Sequence, residues 1–510
     1  MLYQNHIEEG FNMAEAVEKI TGKPIKYYVL SVIGVAIMVF FGMIPAPEPM
    51  TQLGMQVCGQ FIGLLFLWIF VDMVWPTFLG IVMFGMISQQ VYPNSFAMAG
   101  IYEAGAQSIG CWIVVMVLGL LLLVEVLSET GLIRRFALYF ITRKAARKSG
   151  WSFTFMFFLA AFIVALFLNI AASQVIMLAL AKEVFEICGV TKEDKWPRVI
   201  TIGTTFVCVV GYIVTPFCHD VTLLFMGIYT GITGEMPNWL SFMGIGLPIA
   251  VIILLIMFVY FKLIVKPDMS KIEKVDFQKI EALRPGKMTP KENFVATVFI
   301  VLIIVWVIPG FLSAFAANAG ITAWFNAITM VSPLYIAIVL LAVVHFDGKP
   351  VLVIPEAAKN ISWLMIFFLA GIMMIASAMG EDTTGISAWV MTIIQPLVEN
   401  LSPFAFIAAL SAISVILTNV ANNIPVGIIF ITIGVPLSLQ MGINPFVTAA
   451  AVTISSQMSF TIPPSFVPIG ICYADPYGGG HYTLRWGVVM AIVAAILCAL
   501  LIYPLATIFA

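Results

Sequence analysis

The chain has 510 residues, of which 62% are hydrophobic and only 10% are charged, with a formal net charge of −2 at pH 7. A soluble protein of this length carries about 25% charged residues, so the composition excludes an ordinary soluble protein, and we expect no nucleic-acid partner. Apolar runs of about 20 residues, long enough to cross a bilayer, recur along the chain and predict an all-α polytopic membrane protein.

The chain begins with an acidic segment. Residues 1–25 contain Glu8, Glu9, Glu15 and Glu18, which is too acidic for the basic start of a signal peptide, so we expect a cytoplasmic arm on the membrane surface. Eleven apolar segments follow, and two of them are interrupted by polar residues and proline. The predicted spans are 26–45, 53–74, 76–90, 110–128, 197–233 (interrupted), 239–265, 292–311, 333–346, 361–380, 444–472 (interrupted) and 486–508.

Two further apolar segments, 151–181 and 402–438, are each broken near the middle by polar residues. We interpret them as re-entrant hairpins, the first entering from the inner face and the second from the outer face. The predicted fold is therefore about 11 transmembrane helices plus two re-entrant hairpins.

The 24 Lys and Arg residues support one orientation of this topology. With the N-terminus in the cytoplasm and the C-terminus outside, every one of them falls on the cytoplasmic side of what we expect to be a cell inner membrane. Because none remains for the middle of the membrane, an anion bound there must be held by other groups. The basic positions are the arm with Lys26, the segments 134–148, 182–198 and 262–291, and Lys349, Lys359 and Arg485.

The two halves of the chain look duplicated. A span ends in an acidic Thr-Gly turn in VEVLSETGLIRRFALYFI (124–141) and again in IASAMGEDTTGISAWVMTII (375–394). When the first span, 26–45, is left out, each half contributes five spans and one hairpin, and this odd number inverts the second copy; inverted repeats with interrupted helices are typical of secondary transporters. In both halves an asparagine at the hairpin tip follows the turn glycine by 38 residues: Asn169 follows Gly131, and Asn423 follows Gly385.

This duplication predicts the domain division. The lysine-rich segment 262–291 is expected to be a cytoplasmic linker between a first half, 26–261, and a second half, 292–510. The first half contains the inner hairpin and the interrupted helix 197–233, and the second contains the outer hairpin and the interrupted helix 444–472.

These features resemble the divalent anion/sodium symporter family of the ion transporter superfamily, from about residue 53 onward. The resemblance rests on the ETG turn with its basic interfacial helix, the two Asn-tipped hairpins and the two proline-broken helices. It implies a homodimer whose transport domains move as elevators, small carboxylate substrates such as succinate, citrate or tartrate, and sodium coupling in most members. The family carries Ser-Asn-Thr at each tip; here the tips read Leu168-Asn169-Ile170 and Asn422-Asn423-Ile424, and the second is similar to the arsenite-permease branch.

The polar breaks offer groups that bind ions. Half-helix N-termini present N–H donors to a carboxylate, and freed carbonyls with Asn oxygens suit sodium. We predict that the substrate lies between Asn169 and Asn423, flanked by Thr215, His219 and Ser465. Two cation sites are predicted, one around Asn169, Ser173 and the break 215–218 with Cys218, and one around Asn422, Asn423 and the break 462–466.

Each of these residues has a structural alternative. Asn169 and Asn423 can cap the arms of a tight hairpin, and Ser173 and Ser465 can bond back to the backbone. Asn419 is an alternative match to Asn169, because NVANN aligns with NIAAS as well.

The motif TPFCHDVTLL (215–224) carries ionisable residues inside an apolar span. Asp220 is either the N-cap of the second half-helix or a functional group that carries a coupling proton or neutralises a cation, with His219 as its partner. A protonated His219 would supply the positive charge that Lys and Arg do not.

The leading hypothesis is a secondary transporter that moves a small organic anion by alternating access. By resemblance, this transport is coupled to sodium. The alternatives are an inorganic oxyanion permease, a sodium/proton antiporter, and a proton-coupled or exchange-type carboxylate transporter. We do not expect an enzyme, since the sequence holds no zinc-protease helix, paired midplane histidines, cysteine cluster or nucleotide-binding motif. No cofactor is expected apart from sodium as the coupling ion.

Overall fold

The structure, a computed structural model, describes residues 23–72, 74–93, 100–216, 219–315, 320–328, 330–398 and 401–509. Most of the predicted N-terminal arm and the predicted site residue Cys218 lie outside the described residues.

The first half consists of helices that alternate between long apolar segments and short connecting turns. They are α1 (Ile25–Phe40), α2 (Gln52–Phe70), α3 (Val74–Gly85), α4 (Ser88–Val91), α5 (Ile101–Gln107), α6 (Trp112–Glu129), α7 (Leu132–Ile141), α8 (Gly150–Ala165), α9 (Ile170–Cys188), α10 (Lys195–Tyr212), α11 (Asp220–Thr233) and α12 (Trp239–Tyr260).

The linker and the second half continue in the same way, with a two-residue antiparallel pair, β1 (His345–Phe346) and β2 (Lys349–Pro350), after α17. The helices are α13 (Ser270–Glu273), α14 (Phe277–Glu281), α15 (Pro290–Phe315), α16 (Gly320–Ile328), α17 (Val331–Val343), α18 (Ile354–Asn360), α19 (Trp363–Gly380), α20 (Ile386–Val398), α21 (Pro403–Thr418), α22 (Asn423–Gln440), α23 (Pro445–Ser456), α24 (Val467–Ala474) and α25 (Gly480–Phe509).

Eight helices in the described part of the chain are long and apolar enough to cross a membrane. Seven coincide with predicted spans, and the eighth is α22, one arm of the second predicted hairpin. The remaining predicted spans are the two interrupted helices and the shorter apolar helices α3 and α17. The prediction of an all-α polytopic membrane protein is confirmed.

The hairpin arms begin where the local sequence supplies caps. Ser149 and Ser402 cap α8 and α21, each accepting the backbone N–H three residues further on. At the tips, Asn169 and Asn422 cap α9 and α22 by accepting the N–H two residues further on. The helices therefore stop and restart at the predicted polar breaks.

Contacts divide the chain into two compact units. The first comprises the residues up to Ile109 together with Trp363–Trp389. In its core, Trp68 donates from Nε1 to the hydroxyl of Thr77 at 3.2 Å, and the ring of Phe368 packs on Trp68 with centroids 4.9 Å apart.

The second unit, Gly110–Ser362 with Val390–Ala510, contains both hairpins and both interrupted helices. Its helices form two sets with equivalent contacts: α8 and α9 pack on α10, as α21 and α22 pack on α23. The second part of each interrupted helix packs on the set of helices from the other half. Thus α11 packs on α22 and α23, while α24 packs on α9 and α10. These reciprocal contacts are those expected of a duplicated architecture.

The structural match between the halves differs by one residue from the predicted match. Gly131 and Gly385 are equivalent, with φ of +66° and +62°, but the helix-capping asparagines follow them by 38 and 37 residues. The partner of Asn169 is therefore Asn422 rather than Asn423. The reason is a shorter connection, since α8 begins 19 residues after its glycine and α21 begins 18 residues after its own.

Candidate functional site

The first hairpin tip, residues 166–169, is tied to its own half by side chains. Asn169 accepts the N–H of Ala171 at 3.0 Å, and the buried hydroxyl of Ser173 donates to the carbonyl oxygen of Asn169 at 3.0 Å. The hydroxyl of Thr215, in the first break, donates to the carbonyl oxygen of Leu166. Asn169 and Ser173 thus make the capping and backbone contacts of the structural alternative, and ion binding by them remains a prediction.

His219 is fully buried and bridges the first tip and the first break. Its Nδ1 lies 2.5 Å from the carbonyl oxygen of Thr215, and its Nε2 lies 2.8 Å from the carbonyl oxygen of Ala165, the last residue of α8. Both neighbours are acceptors, whereas a neutral imidazole has one N–H and a protonated imidazole has two. The ring of Tyr212 packs against the imidazole with centroids 4.2 Å apart.

Asp220 is the first residue of α11, and the N-cap residue is His219. The chain is still non-helical at His219 (φ −107°, ψ 89°), so the carboxylate of Asp220 lies in the first turn, where the helix dipole favours a negative charge. It accepts hydrogen bonds from the hydroxyl of Tyr212 and from the N–H of Val221, the latter at 3.0 Å. Tyr212 therefore connects His219 and Asp220, through its ring and its hydroxyl respectively.

Asn419 ties the second tip, residues 419–422, to the second break. Its Nδ2 donates to the carbonyl oxygens of Val415 and Met458, both at 2.8 Å, and its Oδ1 accepts the N–H of Phe460 at 2.8 Å. Because both ends of this buried amide are used within the protein, Asn419 has a structural role in the second half comparable to that of His219 in the first.

The two asparagines that follow have different surroundings. Asn422 is exposed, caps α22 through Ile424, and donates from Nδ2 to the carbonyl oxygen of Pro464 at 3.3 Å. Asn423 is only 2% exposed, and its Nδ2 has no hydrogen-bond partner among the described residues. A buried donor without a partner costs about 1–3 kcal/mol, so this amide is available to a bound ligand.

Ser465 is buried in the second break and is already hydrogen-bonded. Its hydroxyl accepts from the hydroxyl of Ser459 at 2.6 Å and donates to the carbonyl oxygen of Ile462 at 2.5 Å. Tyr473 adds a hydrogen bond to the carbonyl oxygen of Thr461 at 2.6 Å. Ser465 therefore orders the 3-10 turn Pro463–Ser465 that precedes α24, and contact with a substrate remains a prediction.

Two glutamines that the sequence predictions missed join the halves. Gln174 donates from Nε2 to the hydroxyl of Thr205 and to the carbonyl oxygen of Pro468, both at 2.9 Å. Gln457 donates from Nε2 to the hydroxyl of Thr222 at 3.2 Å. A glutamine within an apolar stretch of sequence is rarely buried without a partner, and that signal could have found both.

This set of elements, with two capped hairpins beside two broken helices, suits a transporter, and a known family matches the chain along most of its length. The family described as "Citrate transporter" matches residues 16–454. The chain belongs to the citrate transporter family. This membership, with the relatives below, confirms the predicted resemblance to divalent anion/sodium symporters.

Similar proteins carry transporter names. The sodium-dependent dicarboxylate transporter SdcS of Staphylococcus saprophyticus is 22% identical over 368 residues, covering 68% of this chain and 68% of that protein. SdcS of Staphylococcus aureus (strain MW2) is 21% identical over 414 residues, covering 77% and 76%. The human Na(+)/dicarboxylate cotransporter 3 is 26% identical over 154 residues, covering 30% of this chain and 25% of the relative.

A solved structure supports the fold. The crystal structure of the Alcanivorax borkumensis YdaH transporter, described as having an unusual topology, matches with a TM-score of 0.52 at 14% identity. The match covers 78% of this chain and 86% of that one, and at this identity it is informative about the fold alone.

Proposed function

We propose that this chain is a secondary active transporter that moves a small carboxylate across the membrane, driven by sodium. The observation that carries the proposal is the pair of hairpin tips, each with an Asn-capped helix N-terminus and each tied to the broken helix of its own half. Membership of the citrate transporter family and the sodium and dicarboxylate in the relatives' names support the substrate and the ion.

The anion is proposed to bind without basic side chains. The N-termini of α9 and α22 lie at the two tips, where free N–H groups and the helix dipole favour a carboxylate. The Nδ2 of Asn423, which meets no hydrogen-bond acceptor in the described part of the chain, adds one more donor in the second half. We place the substrate between Asn169 and Asn423, with Thr215, His219 and Ser465 holding the surrounding backbone in position.

The remaining details follow the predicted topology and the resemblance. We propose that the protein lies in the cell inner membrane with its N-terminus in the cytoplasm and its C-terminus outside, because of where its 24 Lys and Arg lie. The unit that contains both hairpins would be the part that moves, by alternating access within a homodimer, and the linker 262–291 would separate the halves.

The test is uptake of labelled citrate, succinate and tartrate by proteoliposomes containing the purified protein, with inward sodium or proton gradients imposed separately. We expect sodium to stimulate uptake of at least one carboxylate, and Asn423→Ala to raise its KM about tenfold, the effect of losing roughly 1.4 kcal/mol of binding. Asn293→Ala is the matched control, because Asn293 is exposed. Uptake that responds to protons alone would favour the proton-coupled alternative, and no carboxylate uptake under either gradient would contradict the proposal.

A further inference from the structure

The outward face of α7 is aromatic. The helix has ten residues and is therefore about 15 Å long, half of the roughly 30 Å of a bilayer's hydrocarbon core, so it is too short to cross a membrane. Ile133, Ala137 and Leu138 are buried against the protein, whereas Phe136 and Tyr139 are 40% and 48% exposed. A short amphipathic helix with exposed aromatic rings and basic residues is typical of one that lies along a membrane surface.

The segment 134–148, which contains most of α7 and the turn after it, has six basic residues, and only three of them are paired with glutamates. The other three, Arg143, Lys144 and Lys148, make no ion pair with any described residue. The cations that attach the segment to the protein are therefore different from those that remain available to a ligand. The pairs are Arg134 with Glu183 at 2.6 Å, Arg135 with Glu292 at 3.0 Å, and Arg147 with Glu281.

Two of the unpaired cations line an open cleft formed by the end of α7, the turn after it and the hairpin arm α8. Its volume of about 520 Å³ falls within the roughly 300–1,000 Å³ of small-molecule sites. The guanidinium of Arg143 lies 3.7 Å from the centroid of the Tyr139 ring, and it donates no hydrogen bond to a described residue, so its N–H groups are available to an anion. The lining residues are Tyr139, Phe140, Arg143, Lys144, Ala145 and Met156.

The lining of the cleft has two chemical characters. The two cations favour a phosphate group, because Arg and Lys donate charge-assisted hydrogen bonds to its oxygens. Tyr139, Phe140 and Met156 form an apolar wall, which a free phosphate ion would not contact. A molecule with a phosphate head and a hydrocarbon chain contacts both parts, and basic pockets between the helices of membrane proteins bind anionic lipid headgroups. The corresponding helix of the second half, α20, contains no Lys or Arg.

We propose that this cleft binds one anionic phospholipid of the surrounding bilayer. Its phosphate group lies on Arg143 and Lys144, and an acyl chain follows Tyr139, Phe140 and Met156. The first hairpin tip begins ten residues after Met156, which is about 15 Å along α8. The lipid is therefore a ligand separate from the transported anion, and the inference does not depend on the proposed transport.

The test is native mass spectrometry of the purified full-length protein in a neutral detergent, which counts the phosphatidylglycerol molecules bound to each chain as the lipid is titrated. We expect Arg143→Gln/Lys144→Gln to weaken the binding of the first phosphatidylglycerol about 30-fold, since each cation near a lipid headgroup contributes about fivefold. The control is Lys279→Gln/Lys287→Gln, which removes two exposed cations outside the cleft lining and should leave that affinity unchanged. All four side chains are exposed, so both variants should fold.

Two further probes separate the charge from the chain. Phosphatidylcholine supplies acyl chains without net charge, and glycerol 3-phosphate supplies the phosphate without a chain; we expect each to bind about tenfold more weakly than phosphatidylglycerol, or weaker still. Phosphatidylcholine binding as tightly would reduce the cleft to an apolar surface, and glycerol 3-phosphate binding as tightly would make it a site for a soluble phosphate. Either result would overturn the inference, as would unchanged phosphatidylglycerol affinity in Arg143→Gln/Lys144→Gln or an equal loss in the control variant.

Discussion

Gln174 on α9 donates from Nε2 to the carbonyl oxygen of Pro468 on α24 at 2.9 Å, so a hairpin arm of the first half is bonded to the broken helix of the second. The same amide donates to Thr205 on α10. One buried side chain therefore joins a hairpin arm and parts of both interrupted helices, and these elements can act as one body in transport.

Gln174→Leu is expected to lower the Tm and the rate of carboxylate uptake together. Leucine leaves the carbonyl oxygen of Pro468 without this donor in a buried place, which costs about 1–3 kcal/mol. Gln440→Leu is the control, because Gln440 is exposed at the end of α22. Equal Tm values for the two variants would show that the link between the halves does not stabilise the protein.

Asn419→Ala is expected to be more harmful to folding than Asn422→Ala. The first change removes the partners of two carbonyl oxygens and one N–H in a buried region and should cost roughly 3 kcal/mol. The second removes an exposed helix cap, which is worth about 1 kcal/mol. The order of their Tm values in potassium chloride checks this, and the reverse order would rule out the assignment of Asn419 as the link between tip and break.

Gly487→Ala is expected to displace the second break and to reduce uptake about tenfold or more. Gly487 on α25 lies against the backbone of Phe460, and a Cβ there would overlap the carbonyl group. Gly246 on the equivalent helix α12 lies in the same way against the first break, with a Cβ 2.8 Å from the carbonyl oxygen of Ile213.

Gly105→Ala serves as the control for this substitution, because an added Cβ meets no described atom within 4 Å. Uptake rates per folded protein, measured at saturating sodium, compare the variants. Normal uptake by Gly487→Ala would mean that the backbone of the second break tolerates displacement.

An ion pair in the loop before α10 makes the stability of the folded protein depend on pH. Nζ of Lys271 donates to Asp194 at 2.6 Å and the N–H of Thr191 donates to it at 2.8 Å; these bonds hold the pKa of Asp194 below its usual range. Because the folded pKa lies below the unfolded value of about 3.9, the stabilisation is present above that pH and is lost as the pH falls through the folded pKa.

Asp194→Asn should therefore lower the Tm slightly at pH 6, by an amount that shrinks below pH 4. The effect is small because the pair is partly exposed, with side-chain exposures of 44% for Lys271 and 30% for Asp194. Thermal unfolding of both proteins from pH 3 to pH 7 is the measurement, and a constant difference over that range would exclude the proton linkage.

The sequence predicts the helices well because their causes are local. Apolar length identifies the spans, and the asparagines at the tips mark where α9 and α22 begin. The predicted match of Asn169 with Asn423 was wrong by one residue, because the connection before α21 is one residue shorter than the connection before α8. Counting residues along the chain cannot detect such a difference in loop length. The contact of Gln174 with Pro468 joins positions 294 residues apart, and no local pattern records it.

The central claim is sodium-driven transport of a carboxylate, and accumulation against a gradient tests it most directly. Proteoliposomes and the surrounding medium contain the same concentration of citrate or succinate. The internal concentration of the carboxylate is followed after an inward sodium gradient is imposed. The account predicts that the internal carboxylate rises above the external concentration and falls back when a sodium ionophore collapses the gradient. Uptake that stops at equal concentrations on both sides, with or without the ionophore, would contradict it.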